Sequence, residues 1–117
     1  MKFKVCGLFN DENIHQVANL NPDYIGHIIW EKSVRYVSKE TPKINNIKKT
    51  GVFYNSNEEY IFQMIEKHSL QCIQLHGDES QDFCKKISAI IHLALPPPYF
   101  SIVSKGIGII FDDLLID

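Results

Sequence analysis

The chain reads as an α/β fold on a parallel sheet, and three observations support that reading. Short apolar runs alternate with amphipathic stretches along the chain. The connections between them are short, which implies parallel βαβ units. The 117 residues, 44% hydrophobic and 22% charged, have the size and balance of one ordinary soluble domain, taken as 1–117.

Phe3–Cys6 is a short run rich in strand formers. Asp11–Leu20 is a helix with Ile14, Val17 and Ala18 at helical spacing and Asn10 as N-cap, and Asn21-Pro22 breaks it. Tyr24–Trp30 is nearly continuous in apolar residues, as in a strand covered on both faces. A polar loop, Glu31–Ser38, follows, and then Lys39–Lys49, a helix candidate interrupted by Pro42. Gly51–Tyr54 is the third strand. Ser56-Asn57-Glu58-Glu59 reads as a capping box, with the serine bonding forward and the glutamate back. It opens a helix through His68 with Ile61, Met64 and Ile65 on one face.

Cys72–Leu75 is the fourth strand. Asp78–Ile87 is a helix with acids in its first turn and Lys85 and Lys86 in its last, as the helix dipole favours. Ala89–Leu95 is the fifth strand, ended by Pro96-Pro97-Pro98, which cannot pair inside a sheet. Tyr99–Lys105 is left for the next helix, and Ile107–Phe111, or a longer Ile107–Ile116, for a sixth strand.

Two architectures suit this pattern, an open doubly wound sheet and part of a (β/α)₈ barrel. A whole barrel takes about 200 residues or more, so this length cannot complete one. No glycine-rich phosphate fingerprint follows the first strand, only Cys6-Gly7-Leu8, so a dinucleotide fold is unsupported.

The formal net charge is −2, from 12 basic and 14 acidic residues without a basic cluster. A nucleic-acid or membrane-surface role therefore has no electrostatic support. No apolar run approaches the ~20 residues that span a bilayer. Met1-Lys2-Phe3-Lys4-Val5-Cys6 goes straight into a strand pattern rather than a signal peptide, so the cytosol is the expected compartment. The three cysteines, Cys6, Cys72 and Cys84, are an odd number at wide spacing, which predicts reduced thiols. None of the five histidines lies at zinc-ligand spacing, and no structural metal is expected.

In a parallel βα array the residues just past each strand's carboxyl end share one face. Cys6 ends the first strand, Arg35 follows the second, Asn55 ends the third, His76 ends the fourth and Asp117 follows the last apolar run. A thiol, a guanidinium, an imidazole and a carboxylate on one rim suit anion binding and proton movement. Arg35 is the sole arginine among the 12 basic residues. Arginine is the side chain best shaped to hold a carboxylate or phosphate by two parallel hydrogen bonds. Cys72 and Cys84 read as core packing.

Four segments also carry a resemblance. They are Lys2-Phe3-Lys4-Val5-Cys6-Gly7-Leu8; Asp23-Tyr24-Ile25-Gly26 followed by Lys32-Ser33-Val34-Arg35-Tyr36-Val37-Ser38; Gly51-Val52-Phe53-Tyr54-Asn55; and Gln74-Leu75-His76-Gly77-Asp78-Glu79. Their order and spacing resemble the phosphoribosylanthranilate isomerases, (β/α)₈ barrels of tryptophan biosynthesis. The resemblance implies a partial TIM barrel of about five to six parallel strands. It implies a cofactor-free Amadori rearrangement of N-(5-phosphoribosyl)anthranilate to 1-(2-carboxyphenylamino)-1-deoxyribulose 5-phosphate.

By the same resemblance Cys6 is the general base at ribose C2 and Arg35 holds the anthranilate carboxylate. Asp117, ending Asp113-Leu114-Leu115-Ile116-Asp117, is the general acid at the ring oxygen. His76 and Asn55 are expected to contact substrate. His27 falls where the family usually has an aromatic or apolar residue, and reads as a tolerated substitution.

The physical requirement is independent of the family. An Amadori step needs an acid and a base on opposite sides of a sugar, each with a pKa brought towards neutral. The family's last two βα units, with their phosphate-holding glycine-rich loops, have no counterpart in these 117 residues. An unclosed barrel exposes strand edges, so the chain is expected either to be an inactive fragment that self-associates or to need a complementing C-terminal part.

Overall fold

The computed structural model describes residues 3–94 and 101–104. Five strands form one sheet in the order β1-β2-β3-β4-β5, namely β1 Lys4–Val5, β2 Tyr24–Ile29, β3 Lys48–Phe53, β4 Cys72–Leu75 and β5 Ser101–Ser104. Every neighbouring pair is parallel. A doubly wound sheet reverses its strand order at a switch point. This sheet never reverses, so it is an arc of a (β/α)₈ barrel.

Three helices, α1 Asp11–Ala18, α2 Glu58–His68 and α3 Gln81–Ala94, complete the described elements. α1 is capped as its sequence predicts, with the Asn10 side chain accepting from Asn13 N at 3.1 Å. α2 is capped one residue later than predicted. Asn57, not Ser56, is the N-cap, and its side chain accepts from Tyr60 N at 2.8 Å. α2 ends at Ser69, which takes left-handed backbone and donates its N–H to Glu66 O.

Period-two alternation divides the sheet into two faces. One face carries Ile29, Phe53, Ile73, Leu75 and Ile102, all fully buried against Ile61 of α2 and Cys84, Ile87 and Ile91 of α3. The other carries Lys4, Tyr24, Gly26, Lys48, Thr50, Cys72 and Gln74 and is the concave, barrel-inner face. Lys4 Nζ donates to Gln74 Oε1 across this face, from β1 to β4. Three strand intervals amount to about 14 Å along a flat sheet, farther than a lysine and a glutamine together can reach. The bond therefore forms only because the sheet curls.

Three expectations are corrected. Ala89–Leu95 is not a strand, because α3 runs through Ala94. Cys84, Ile87, Ser88 and Ile91 are buried at spacings of three and four while Leu93 is 88% exposed, and that helical spacing outweighs the apolar run. The fifth strand is Ser101–Ser104, inside the segment expected to be helical. Lys39–Lys49 forms no helix, and Lys48 and Lys49 already belong to β3.

An irregular segment therefore joins β2 to β3, pinned by cations. Lys67 Nζ donates to Ser38 O at 3.1 Å. Lys49 Nζ donates to Thr41 Oγ1 at 2.6 Å and to Pro42 O at 3.2 Å. His68 Nδ1 lies 3.3 Å from Thr41 Oγ1. The expected sixth strand, Ile107–Phe111, lies outside the described residues. No helix among the described residues is long and apolar enough to cross a membrane.

Candidate active site

The carboxyl ends of β1 to β4 build one rim. Cys6 follows β1, and its backbone is held by β2, with Gly7 N and Leu8 N both donating to Gly26 O at 3.0 Å. The thiol is accessible and lies over Gly26, where a Cβ would come 2.9 Å from Cys6 Sγ. Only a glycine at that position on β2 leaves the sulfur its place on the inner face.

Arg35 reaches the same spot from the loop after β2. That loop doubles back: Val37 N donates to Ile28 O at 3.1 Å, Tyr36 N to Ser33 O at 3.1 Å, and Arg35 N to Ser33 Oγ at 3.1 Å. The guanidinium lies on Gly7, where a Cβ would come 2.9 Å from Arg35 Cζ. Gly7 has φ +86°, a backbone conformation that glycine adopts freely. Arg35 is exposed, and among the described residues no carboxylate pairs with its guanidinium. Beneath the thiol, Lys4 shares the inner face two residues earlier.

His76 is exposed at the end of β4, its N–H held by Phe53 O at 2.9 Å. Asn55 ends β3 in left-handed backbone, φ 52°. Its Oδ1 accepts from Asp78 N at 2.8 Å and its own N–H donates to Glu79 Oε2 at 2.9 Å. It therefore clips the turn after His76 to the end of β3. The structure brings Cys6, Arg35, Asn55 and His76 to one rim, and Asp117 lies outside the described residues.

Sequence reasoning missed two features of this rim. Trp30 stacks on Tyr54 with ring centroids 4.6 Å apart and planes at 28°. The pair walls a groove of about 370 Å³ with Glu31, Asn55 and Tyr60. The second feature is the Lys4–Gln74 bond. Both were signalled by alternation, since residues 4 and 6, 74 and 76, and 28 and 30 fall on one side of their strands.

A second polar cluster lies on the outer face, away from the rim. His27 is fully buried, with Nδ1 donating to Leu8 O at 2.7 Å. Burial, with a smaller contribution from Lys49, pushes its pKa down to about 4 against the raising effect of the Leu8 bond. His68 falls to about 4 through burial, Lys49, His27 and Lys67. Lys49 falls to about 8 through burial and Lys43, with Glu40 opposing. His27 is thus packed into the outer face and held there by Leu8 O.

Comparison with known proteins gives a consistent result. A family model described as N-(5′-phosphoribosyl)anthranilate (PRA) isomerase matches residues 3–105. Proteins of that name from Caldanaerobacter subterraneus and Legionella pneumophila are 38% and 30% identical over 88 and 118 residues. Those alignments cover 71% and 96% of this chain, and 43% and 57% of the relatives. The chain thus spans about half the length of the curated relatives it matches.

The solved phosphoribosyl anthranilate isomerase of Thermotoga maritima superposes with a TM-score of 0.72 at 26% identity, over 89% of this chain and 49% of that one. An equally similar solved isomerase, also at TM-score 0.72 and 26% identity, holds reduced 1-(o-carboxyphenylamino)-1-deoxyribulose 5-phosphate and is matched over 52% of its length by 89% of this chain.

Proposed function

This chain belongs to the N-(5′-phosphoribosyl)anthranilate isomerase family, and from that premise we propose that its rim is the base-and-carboxylate side of an Amadori isomerase site. The substrate is N-(5-phosphoribosyl)anthranilate, a small phosphorylated sugar carrying an aromatic carboxylate. Asp117 protonates the furanose ring oxygen, the ring opens to an imine, and Cys6 removes the proton from C2. The resulting enolamine tautomerises to the ketone. Arg35 holds the anthranilate carboxylate in its fork. His76 donates to a substrate oxygen, with Asn55 beside it fixing the turn that carries it. No cofactor takes part, and the reaction belongs in the cytosol.

The observation that carries this reading is the Arg35 guanidinium lying on Gly7, directly after the accessible Cys6 thiol. Holding an anion beside a base is what orients C2 for proton abstraction. The test is an isomerase assay on the purified chain, following loss of the substrate's anthranilate fluorescence, with Cys6→Ala as control. Turnover abolished by Cys6→Ala supports the reading, and turnover unchanged by it overturns Cys6 as base.

A second reading is favoured by the sheet edges. Among the described residues β1 and β5 each pair on one side only. Such edges recruit partners. In this reading the chain is inactive alone, and self-associates or takes a complementing C-terminal part. Sedimentation velocity over a concentration series separates the two. A monomer with turnover excludes the second reading, and an inactive oligomer favours it.

A further inference from the structure

We infer that Lys4 and Gln74 are positioning residues that fix His76 in the Nε2–H tautomer, with that N–H directed into the barrel mouth. The side-chain amide of Gln74 has a forced orientation. An ammonium only donates hydrogen bonds, so the atom of Gln74 facing Lys4 Nζ must be its carbonyl oxygen. The amide nitrogen of Gln74 is thereby turned the other way. It lies 3.5 Å from His76 Nδ1. An amide NH₂ also only donates, so Nδ1 must present its lone pair, and the ring proton of a neutral His76 resides on Nε2.

Three side chains on the inner face thus pass one constraint from β1 to the end of β4. Gln74 is buried and cannot turn freely, whereas His76 is exposed and depends on a neighbour for its orientation. Residues 72, 74 and 76 lie on the same side of the strand, so the far edge of the imidazole faces the mouth shared with Cys6 and Arg35. A hydrogen-bond donor there suits a ligand bearing carboxylate, phosphate or hydroxyl oxygens.

The tautomer follows from the protein's own contacts. The isomerase reading enters only in naming the ligand that the N–H meets.

The experiment is long-range proton–nitrogen correlation on the ¹⁵N-labelled 117-residue chain, at about pH 8.5 where ordinary histidines are neutral. Wild-type His76 is expected to show an unprotonated Nδ1 and a protonated Nε2. In Gln74→Glu the carboxylate can only accept, and the pattern inverts to Nδ1–H. In Lys4→Met the amide is released and both tautomers appear. His27, whose Nδ1–H is fixed by Leu8 O, keeps its pattern in each variant and reports that the fold is intact. A wild-type Nδ1–H form, or a tautomer ratio untouched by both substitutions, overturns the inference. Should one variant fail to fold, the other decides, because a neutral imidazole in water already leans towards Nε2–H and only a change of pattern in a variant shows what fixes it.

Titration with reduced 1-(o-carboxyphenylamino)-1-deoxyribulose 5-phosphate separates the two claims. Binding that moves the His76 Nε2 resonance of the wild-type chain, with Nδ1 still unprotonated, supports both. Absence of binding by the wild-type chain counts against the isomerase reading while the tautomer is still read from the same spectra.

Discussion

Arg35 lies on Gly7, so close that a methyl group on Gly7 would occupy the space of the guanidinium carbon, 2.9 Å away. The loop after β2 and the turn after β1 are thereby interlocked at the residue that directly follows Cys6.

Gly7→Ala is expected to act twice. The positive φ costs about 1–2 kcal/mol for an L-residue, lowering the urea midpoint. The new methyl also displaces Arg35, so affinity for an anthranilate carboxylate falls further than stability does. Arg35→Lys, which keeps the charge but loses the fork, is expected to weaken binding without moving the urea midpoint.

Cys6→Ala removes an accessible thiol and is expected to leave stability within about 0.5 kcal/mol. Turnover should fall by about 10²–10⁴-fold, the range for removal of a positioned base. Gly26→Ala gives an independent check. A methyl 2.9 Å from Cys6 Sγ pushes the sulfur off the inner face, and the rate of alkylation by iodoacetamide is expected to change while Cys6 itself remains.

The outer-face histidines make stability depend on acid. His27 and His68 have folded pKa values of about 4, below their ordinary 6.5. Between those values the unfolded chain binds more protons than the folded one, so stability falls as pH drops from about 6.5 towards 4. Each histidine contributes at most about 1.4 kcal/mol per pH unit in that window. Urea midpoints at pH 7, 6 and 5 measure the slope, and His68→Gln is expected to reduce it. Lys49 acts in the same direction in a more alkaline window. Its depressed value of about 8, against 10.5 when free, means that stability rises with pH between those limits.

Asn55→Ala separates a structural clip from a ligand contact. The loss of the Asn55 Oδ1 bond to Asp78 N is expected to cost about 1 kcal/mol. Asn55→Asp keeps that acceptor and should restore most of the midpoint. If Asn55 also contacts substrate, the aspartate variant remains weak in binding, because its carboxylate opposes an anionic ligand.

How much was legible in the sequence follows from which signals were local. Cys72–Leu75 was read with its observed bounds because four buried residues are flanked by polar turns. α2 was read to its observed end at His68, with its cap placed one residue early, at Ser56 rather than Asn57. β3 was read as starting three residues late, at Gly51, because Lys48 and Lys49 read as the end of the Lys39–Lys49 helix candidate. Lys49 is buried only because Thr41 and Pro42 O receive its ammonium, a contact eight residues away that alternation does not reveal. α3 was cut short because Ala89–Leu95 is apolar and β-branched, while the spacing of Cys84, Ile87, Ser88 and Ile91 pointed to a helix. At the rim, Cys6, Arg35, Asn55 and His76 were placed by the rule that strand ends share a face. The Trp30–Tyr54 stack continues the Ile29–Phe53 pairing of two neighbouring strands, whereas the Lys4–Gln74 bond crosses from β1 to β4 and needs a curvature that alternation does not give.

The uninterrupted strand order has a consequence for how the molecule comes into being. Each strand pairs with the one made just before it. As the chain leaves the ribosome, each described strand after β1 meets an edge that is already formed. Assembly can then advance outward from β1, with the growing edge at each stage being the template for the next addition.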